Sequence, residues 1–144
     1  MKKLLALILV VLCCFNFASC GLFFSNEPAP PLSLPSLEKV FAVIVREGQD
    51  VTNHESLSKE QIAQALQILN GAVPTKEQSV NDYPSSDQVY AINIIAEEQR
   101  ITLFLFKAQS LFGLKTEWKV ELPYYGIYQI STEDADKFIA WANE

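Results

Sequence analysis

The sequence predicts an α+β domain: an antiparallel sheet of four or five strands with two helices packed on it. Three observations predict it. A β-branched run is followed by a helical pattern with a clear start and stop. A series of strand-like segments between residues 89 and 130 is joined by links of only a few residues. The chain then closes on an amphipathic segment with an acidic first turn. The 144 residues allow one domain with a modest core, and no internal repeat is visible.

The first strand is Val40-Phe41-Ala42-Val43-Ile44-Val45, short and β-branched, followed by a turn at Gly48-Gln49-Asp50. Ser58 and Gln61 then stand at capping-box spacing, which satisfies amide groups of a first helical turn. Ile62, Ala65, Leu66 and Leu69 follow at helical spacing as one apolar stripe, with Gln64 and Gln67 outside it. Gly71 supplies a C-cap and Pro74 bars continuation. After a polar loop over 75–86, residues 89–96 place Tyr90, Ile92 and Ile94 on one side of a strand. Glu97-Glu98-Gln99 is a hairpin tip kept soluble by charge. Residues 101–107 then alternate Ile101, Leu103 and Leu105 against Thr102, Phe104 and Phe106.

Residues 115–121 alternate more cleanly. Thr116, Trp118 and Val120 are expected to face inward, and Lys115, Glu117, Lys119 and Glu121 to face water, as in a sheet with one solvated face. Pro123-Tyr124-Tyr125-Gly126 is a turn in which Gly126 is expected to supply a positive backbone angle, and residues 127–130 form a last strand. Ser131 or Thr132 caps the terminal helix. Glu133, Asp134 and Asp136 suit its dipole, and Ala135, Phe138, Ile139 and Ala142 form its apolar stripe. Phe104, Phe106, Trp118 and Phe138 are expected in the core.

The start of the chain has another character. Residues 1–19 read as a lipoprotein signal peptide: Lys2 and Lys3 form a basic start, and an apolar run from Leu4 ends in Ala18-Ser19 before Cys20. That run is shorter than the roughly 20 residues a membrane span needs. Phe17-Ala18-Ser19-Cys20 resembles the bacterial lipobox, with Phe17 where leucine is usual. Lipidation of Cys20 would leave the mature chain with that single cysteine, unable to form an internal disulfide, and tethered to the membrane rather than spanning it. Residues 20–37 read as the lipidated cysteine and a proline-rich, disordered spacer. At about 3.1 Å per residue it would hold the domain up to roughly 50 Å from the bilayer. The folded domain is expected over 38–144.

Composition excludes several functions. With Lys2 and Lys3 gone in the leader, the 11 basic residues fall to 9 against 17 acidic ones, a poor match to nucleic acid. His54 is the only histidine and lies among polar residues. No triad, zinc-ligand spacing or phosphate loop is present, so no catalytic residue, metal or cofactor is expected. The candidate binding surface is Tyr83, Tyr124, Tyr125 and Tyr128 with Asp82, beside Thr75, Ser79 and Asn81, because tyrosine pairs an apolar ring with a polar tip. The opposing reading makes these residues structural, with Asp82 capping the Tyr83-Pro84 turn and the tyrosines closing the sheet edge.

Two segments resemble a family of small exported domains of unknown function, common in Gram-positive bacteria and often lipoproteins. One is a Thr-x-x-x-Ser-Val-x-Asp-x-Pro loop, here Thr75 to Pro84. The other is a Pro-Tyr-x-Gly-Ile-Tyr segment, here Pro123 to Tyr128. The resemblance implies a fold and an exported setting, and no activity. The sequence therefore suggests a non-enzymatic binding module on the extracytoplasmic face of the membrane, held by lipid on Cys20 and meeting an envelope or protein partner. An alternative is an inhibitor or immunity-type protein, its exposed loop over 74–86 entering the cleft of an extracellular hydrolase.

Overall fold

The computed structural model describes residues 27–48, 55–79, 82–109 and 116–144. The leader, Cys20, His54, Asn81 and Lys115 lie outside the described residues. The expected α+β architecture is present, with two helices and a fully antiparallel sheet. The strands are β1 (Val40–Glu47), β2 (Val73–Pro74), β3 (Val89–Ala96), β4 (Arg100–Gln109), β5 (Thr116–Leu122) and β6 (Gly126–Ile130). The helices are α1 (Lys59–Asn70) and α2 (Thr132–Ala142), and a 3-10 turn at Leu37–Lys39 leads into β1.

The sheet has six strands, ordered β1-β3-β4-β5-β6-β2, rather than four or five. The extra strand is β2, where Val73 pairs with Gln129 and Pro74 with Tyr128. Two residues carry no readable periodicity, and proline is tolerated there because an edge strand need not donate outward. Gly71 ends α1 as expected. It does so at φ −85° and ψ −4°, a right-handed conformation open to any residue.

One face of the sheet carries both helices. Val43 and Val45 of β1, Ile92 and Ile94 of β3, Leu103 and Leu105 of β4, and Trp118 and Val120 of β5 meet Leu66 and Leu69 of α1 and Ala135 and Phe138 of α2. Phe138 also packs edge-on to Trp141, ring centres 5.2 Å apart. Phe104 and Phe106 lie half-buried on the opposite face, outside this core.

Helix α1 starts as its sequence predicts. The Ser58 amide donates to Gln61 Oε1 (2.8 Å) and the Gln61 amide to Ser58 Oγ (3.3 Å). Ser58→Ala is expected to cost about 1 kcal/mol, read as a lower urea midpoint with an unchanged slope. Ser131 caps α2 in the same manner, its hydroxyl accepting from the Asp134 amide at 3.1 Å. The outer edge of β1 is partly closed by residues just before α1: the Leu57 amide donates to the Val43 carbonyl (2.8 Å), and the Val43 amide to Ser56 Oγ (3.2 Å).

Candidate functional site

The two sequence motifs turn out to be the two sides of one contact. The described part of the loop between β2 and β3 lies along the β5–β6 hairpin and is bonded to it at successive points. The Thr75 amide (2.9 Å) and hydroxyl (2.8 Å) both donate to the Ile127 carbonyl. Lys119 pairs with Glu77. Ser79 Oγ donates to Glu121 Oε1 at 2.5 Å and accepts from the Tyr124 amide at 2.8 Å. The Tyr124 hydroxyl donates to Asp82. Tyr83 packs edge-on to Phe104 of β4, ring centres 5.1 Å apart.

These bonds correct the expectation that Lys119 and Glu121 face water. They are only 9% and 4% exposed, because the loop covers the face that strict alternation assigned to solvent. A buried charge is stable only when paired and hydrogen-bonded, and Glu77 and Ser79 supply those partners. Ser79 is itself 8% exposed, with its hydroxyl proton committed to Glu121 and its oxygen to Tyr124. It works as a structural post between the loop and the hairpin.

The hairpin turn carries the site's most unusual feature. The Tyr125 amide donates to the Leu122 carbonyl at 3.0 Å, so Leu122 to Tyr125 form a β-turn with Pro123 second and Tyr124 third. Tyr124 has φ 63°, the left-handed value that a type II turn normally gives to glycine or asparagine. It is the only non-glycine residue with positive φ among those described. Gly126, expected to serve that purpose, does not. Its role is space: a Cβ built there would overlap the side chain of Ala29.

Ala29 belongs to the segment expected to be a disordered spacer. From Ala29 onward the chain is instead a strap on the domain. The Ala29 amide donates to the Thr75 carbonyl (2.9 Å), the buried Tyr128 hydroxyl donates to the Pro30 carbonyl (2.8 Å), and Leu32 and Leu34 pack against the core. Ordered contacts thus begin well before residue 38. Sequence reading missed the strap because proline lacks an amide and favours an extended form, which looks alike free or docked.

The structure divides the candidate binding residues. Tyr124 and Tyr125 are exposed, at 63% and 70%, and Tyr124 is bonded to Asp82. Tyr128 is buried, and burial raises its phenol pKa. Tyr83 is half-buried against Phe104, and Asp82 accepts the Tyr124 hydroxyl. Glu77, Lys119, Glu121 and Ala29, which sequence reading did not place here, complete the frame. A groove of about 360 Å³ runs between the strap at Pro28 to Pro30, the loop at Lys76 to Ser79, and the tyrosine pair.

Residues 28–129 match the model of the family DUF5301, described as "Domain of unknown function (DUF5300)". The chain belongs to the DUF5301 family. The DUF5301 match opens at Pro28, so it takes in the strap as well as both motifs. The chain is also similar to a solved structure titled "NMR structure of the protein from Ruminococcus gnavus". The two share 25% sequence identity over 74% of this chain and 98% of that one, with a TM-score of 0.54. Comparison with curated proteins gives no match.

The phenol of Tyr124 is held above its ordinary pKa of 10.0, first by its bond to Asp82, then by desolvation and the same carboxylate's charge. The raised value means that this bond supports the tip fully below pH 10 and is lost as pH climbs through the raised pKa. Spectrophotometric titration of Tyr125→Phe, minus that of Tyr124→Phe/Tyr125→Phe to remove the buried phenols, is expected to show a phenol that ionises later than a free one and moves back down in Asp82→Asn.

Proposed function

We propose that this DUF5301 chain is a lipid-anchored, non-enzymatic binding module on the extracytoplasmic face of the membrane, whose contact surface is the tip formed by Tyr124 and Tyr125 beside Asp82. One observation carries this reading. Tyr124 occupies a left-handed turn position where glycine would be unstrained, yet the residue is 63% exposed. Holding a bulky residue there costs roughly 1–3 kcal/mol, and such outliers persist where a side chain is needed at that point. Nothing in core packing needs it, which leaves contact with something outside the chain. The polar groups around it are committed to the frame, so the tip offers recognition rather than chemistry.

The anchor rests on the lipobox-like Phe17-Ala18-Ser19-Cys20. The alternative, a hydrolase inhibitor with an inserting loop, is less well supported: Ser79 and Pro84 are buried, Tyr83 lies on Phe104 and Thr75 is bonded to Ile127, so these residues are held against the domain. Tyr124→Gly combined with Tyr125→Ala is expected to change stability by less than about 1 kcal/mol, since relief of backbone strain offsets the lost Asp82 bond. The same variant is expected to lose the partners recovered with wild type from envelope extract. Equal recovery of every partner by both proteins would count against the surface.

A further inference from the structure

We infer that the tyrosine tip contacts the headgroup layer of the very membrane that anchors the chain, because the strap shortens the tether to a few residues. The inference deepens the proposed function and rests on lipidation of Cys20.

With Ala29 and Pro30 fixed to Thr75 and Tyr128, the sequence leaves seven residues, 21–27, between Cys20 and Pro28. Fully extended, these span at most about 25 Å. Three of them, Leu22-Phe23-Phe24, are large and apolar and follow Cys20-Gly21 directly in the sequence. Partition of such residues into the interface is favourable. That leaves Ser25-Asn26-Glu27, about 10 Å of chain at full stretch, between the interface and the strap. The headgroup layer of one leaflet is itself roughly 5–8 Å thick.

The point where the tether joins the domain is not neutral ground. Glu27, Pro28, Tyr124 and Tyr125 line one groove, so the exposed rings flank the exit of the chain. Tyrosine is the residue whose apolar body and polar tip suit the membrane–water boundary. A domain seated by a short leash at that groove presents those two rings to lipid. Glu97 and Glu98, at the β3–β4 tip on the same end of the sheet, are exposed and oppose a flat approach to anionic lipid. Contact by the tyrosine corner is therefore expected to be stronger on zwitterionic than on anionic bilayers.

The test uses the full acylated protein in phosphatidylcholine vesicles, with or without phosphatidylglycerol. Because Cys20 is acylated, a thiol dye can be placed singly through Tyr125→Cys or, as reference, Asp87→Cys. Asp87 is exposed and precedes β3 at the opposite end of the sheet. Quenching by headgroup-labelled lipid is expected to be stronger at 125 than at 87, with a blue-shifted emission at 125. Inserting about fifteen Gly/Ser residues between Asn26 and Glu27, some 50 Å when extended, is expected to remove more than half of that excess while co-sedimentation with vesicles persists. Equal quenching at 125 and 87 in protein that co-sediments overturns the inference and leaves the anchor intact. An excess that survives the insertion overturns the short-leash cause. Failure to co-sediment overturns the anchor and the inference with it.

Discussion

Ser79→Ala is expected to destabilise the domain by about 1.5–3 kcal/mol, the range for losing a hydrogen bond to a buried charged group. The substitution removes one methyl-sized oxygen and no apolar surface, so packing loss contributes little. Its cost is electrostatic: Glu121, 4% exposed, loses the hydroxyl that donates to it, and the Tyr124 amide loses its acceptor. Two comparisons separate that cause from general damage. Glu121→Gln, which retains an acceptor for Ser79 without the charge, is expected to cost less. Pairing Ser79→Ala with Glu121→Met is expected to recover much of the loss, because removing both members of a buried polar pair is far cheaper than orphaning one. Denaturant melts of wild type, Ser79→Ala, Glu121→Met and the pair form a double-mutant cycle. Additive effects would mean that Ser79 and Glu121 do not depend on each other.

Gly126→Ala is expected to cost about 1–3 kcal/mol, as overpacking does in a well-filled site. The added methyl meets the Ala29 side chain, so either the strap lifts or the hairpin moves. Lifting the strap also breaks the Ala29–Thr75 and Tyr128–Pro30 hydrogen bonds and uncovers core beneath Leu32 and Leu34. Limited proteolysis is expected to cut the variant within residues 28–36 at protease levels that spare the wild type. Ala29→Gly in the same chain removes the opposing methyl and is expected to restore most of the lost stability. If Gly126→Ala were instead harmful through backbone conformation, Ala29→Gly would bring no recovery.

Much of the frame was legible in the sequence, and the reasons for success and failure are physical. Helix α1 was readable because its cap, its stripe and its stop all agree, and Ser58 and Gln61 form the reciprocal bonds their spacing implies. Strands β3 and β4 were readable because Tyr90, Ile92 and Ile94 pair in register with Leu105, Leu103 and Ile101. The alternation of β5 misled for a definite reason. Lys119 and Glu121 look like a solvated face, and only the loop from β2, brought in from some forty residues away in sequence, gives them partners. Strand periodicity reports on neighbours within the strand and says nothing of a loop folded over it.

The candidate site was legible in part for a related reason. The tyrosine segment and the Thr75–Pro84 loop stood out as unusual, yet what joins them is a serine proton, a strained Tyr124 and a methyl-sized gap at Gly126. Residue type alone does not separate Tyr128, sealed beneath the strap, from Tyr125, which stands in the open. Nor does it show that Gly126 makes room for a side chain almost a hundred residues earlier rather than turning the chain.

The docking of the strap requires a glycine at 126 and, under the proposed anchor, would set the length of the tether, so its direct test is amide hydrogen exchange at Ala29 in the full-length protein. An amide donating to the Thr75 carbonyl is expected to exchange many-fold more slowly than in an unstructured peptide, and to lose that protection in Gly126→Ala. Exchange of the wild-type Ala29 amide at the free-peptide rate would contradict the docked strap, and with it the placement of the tyrosines at the membrane.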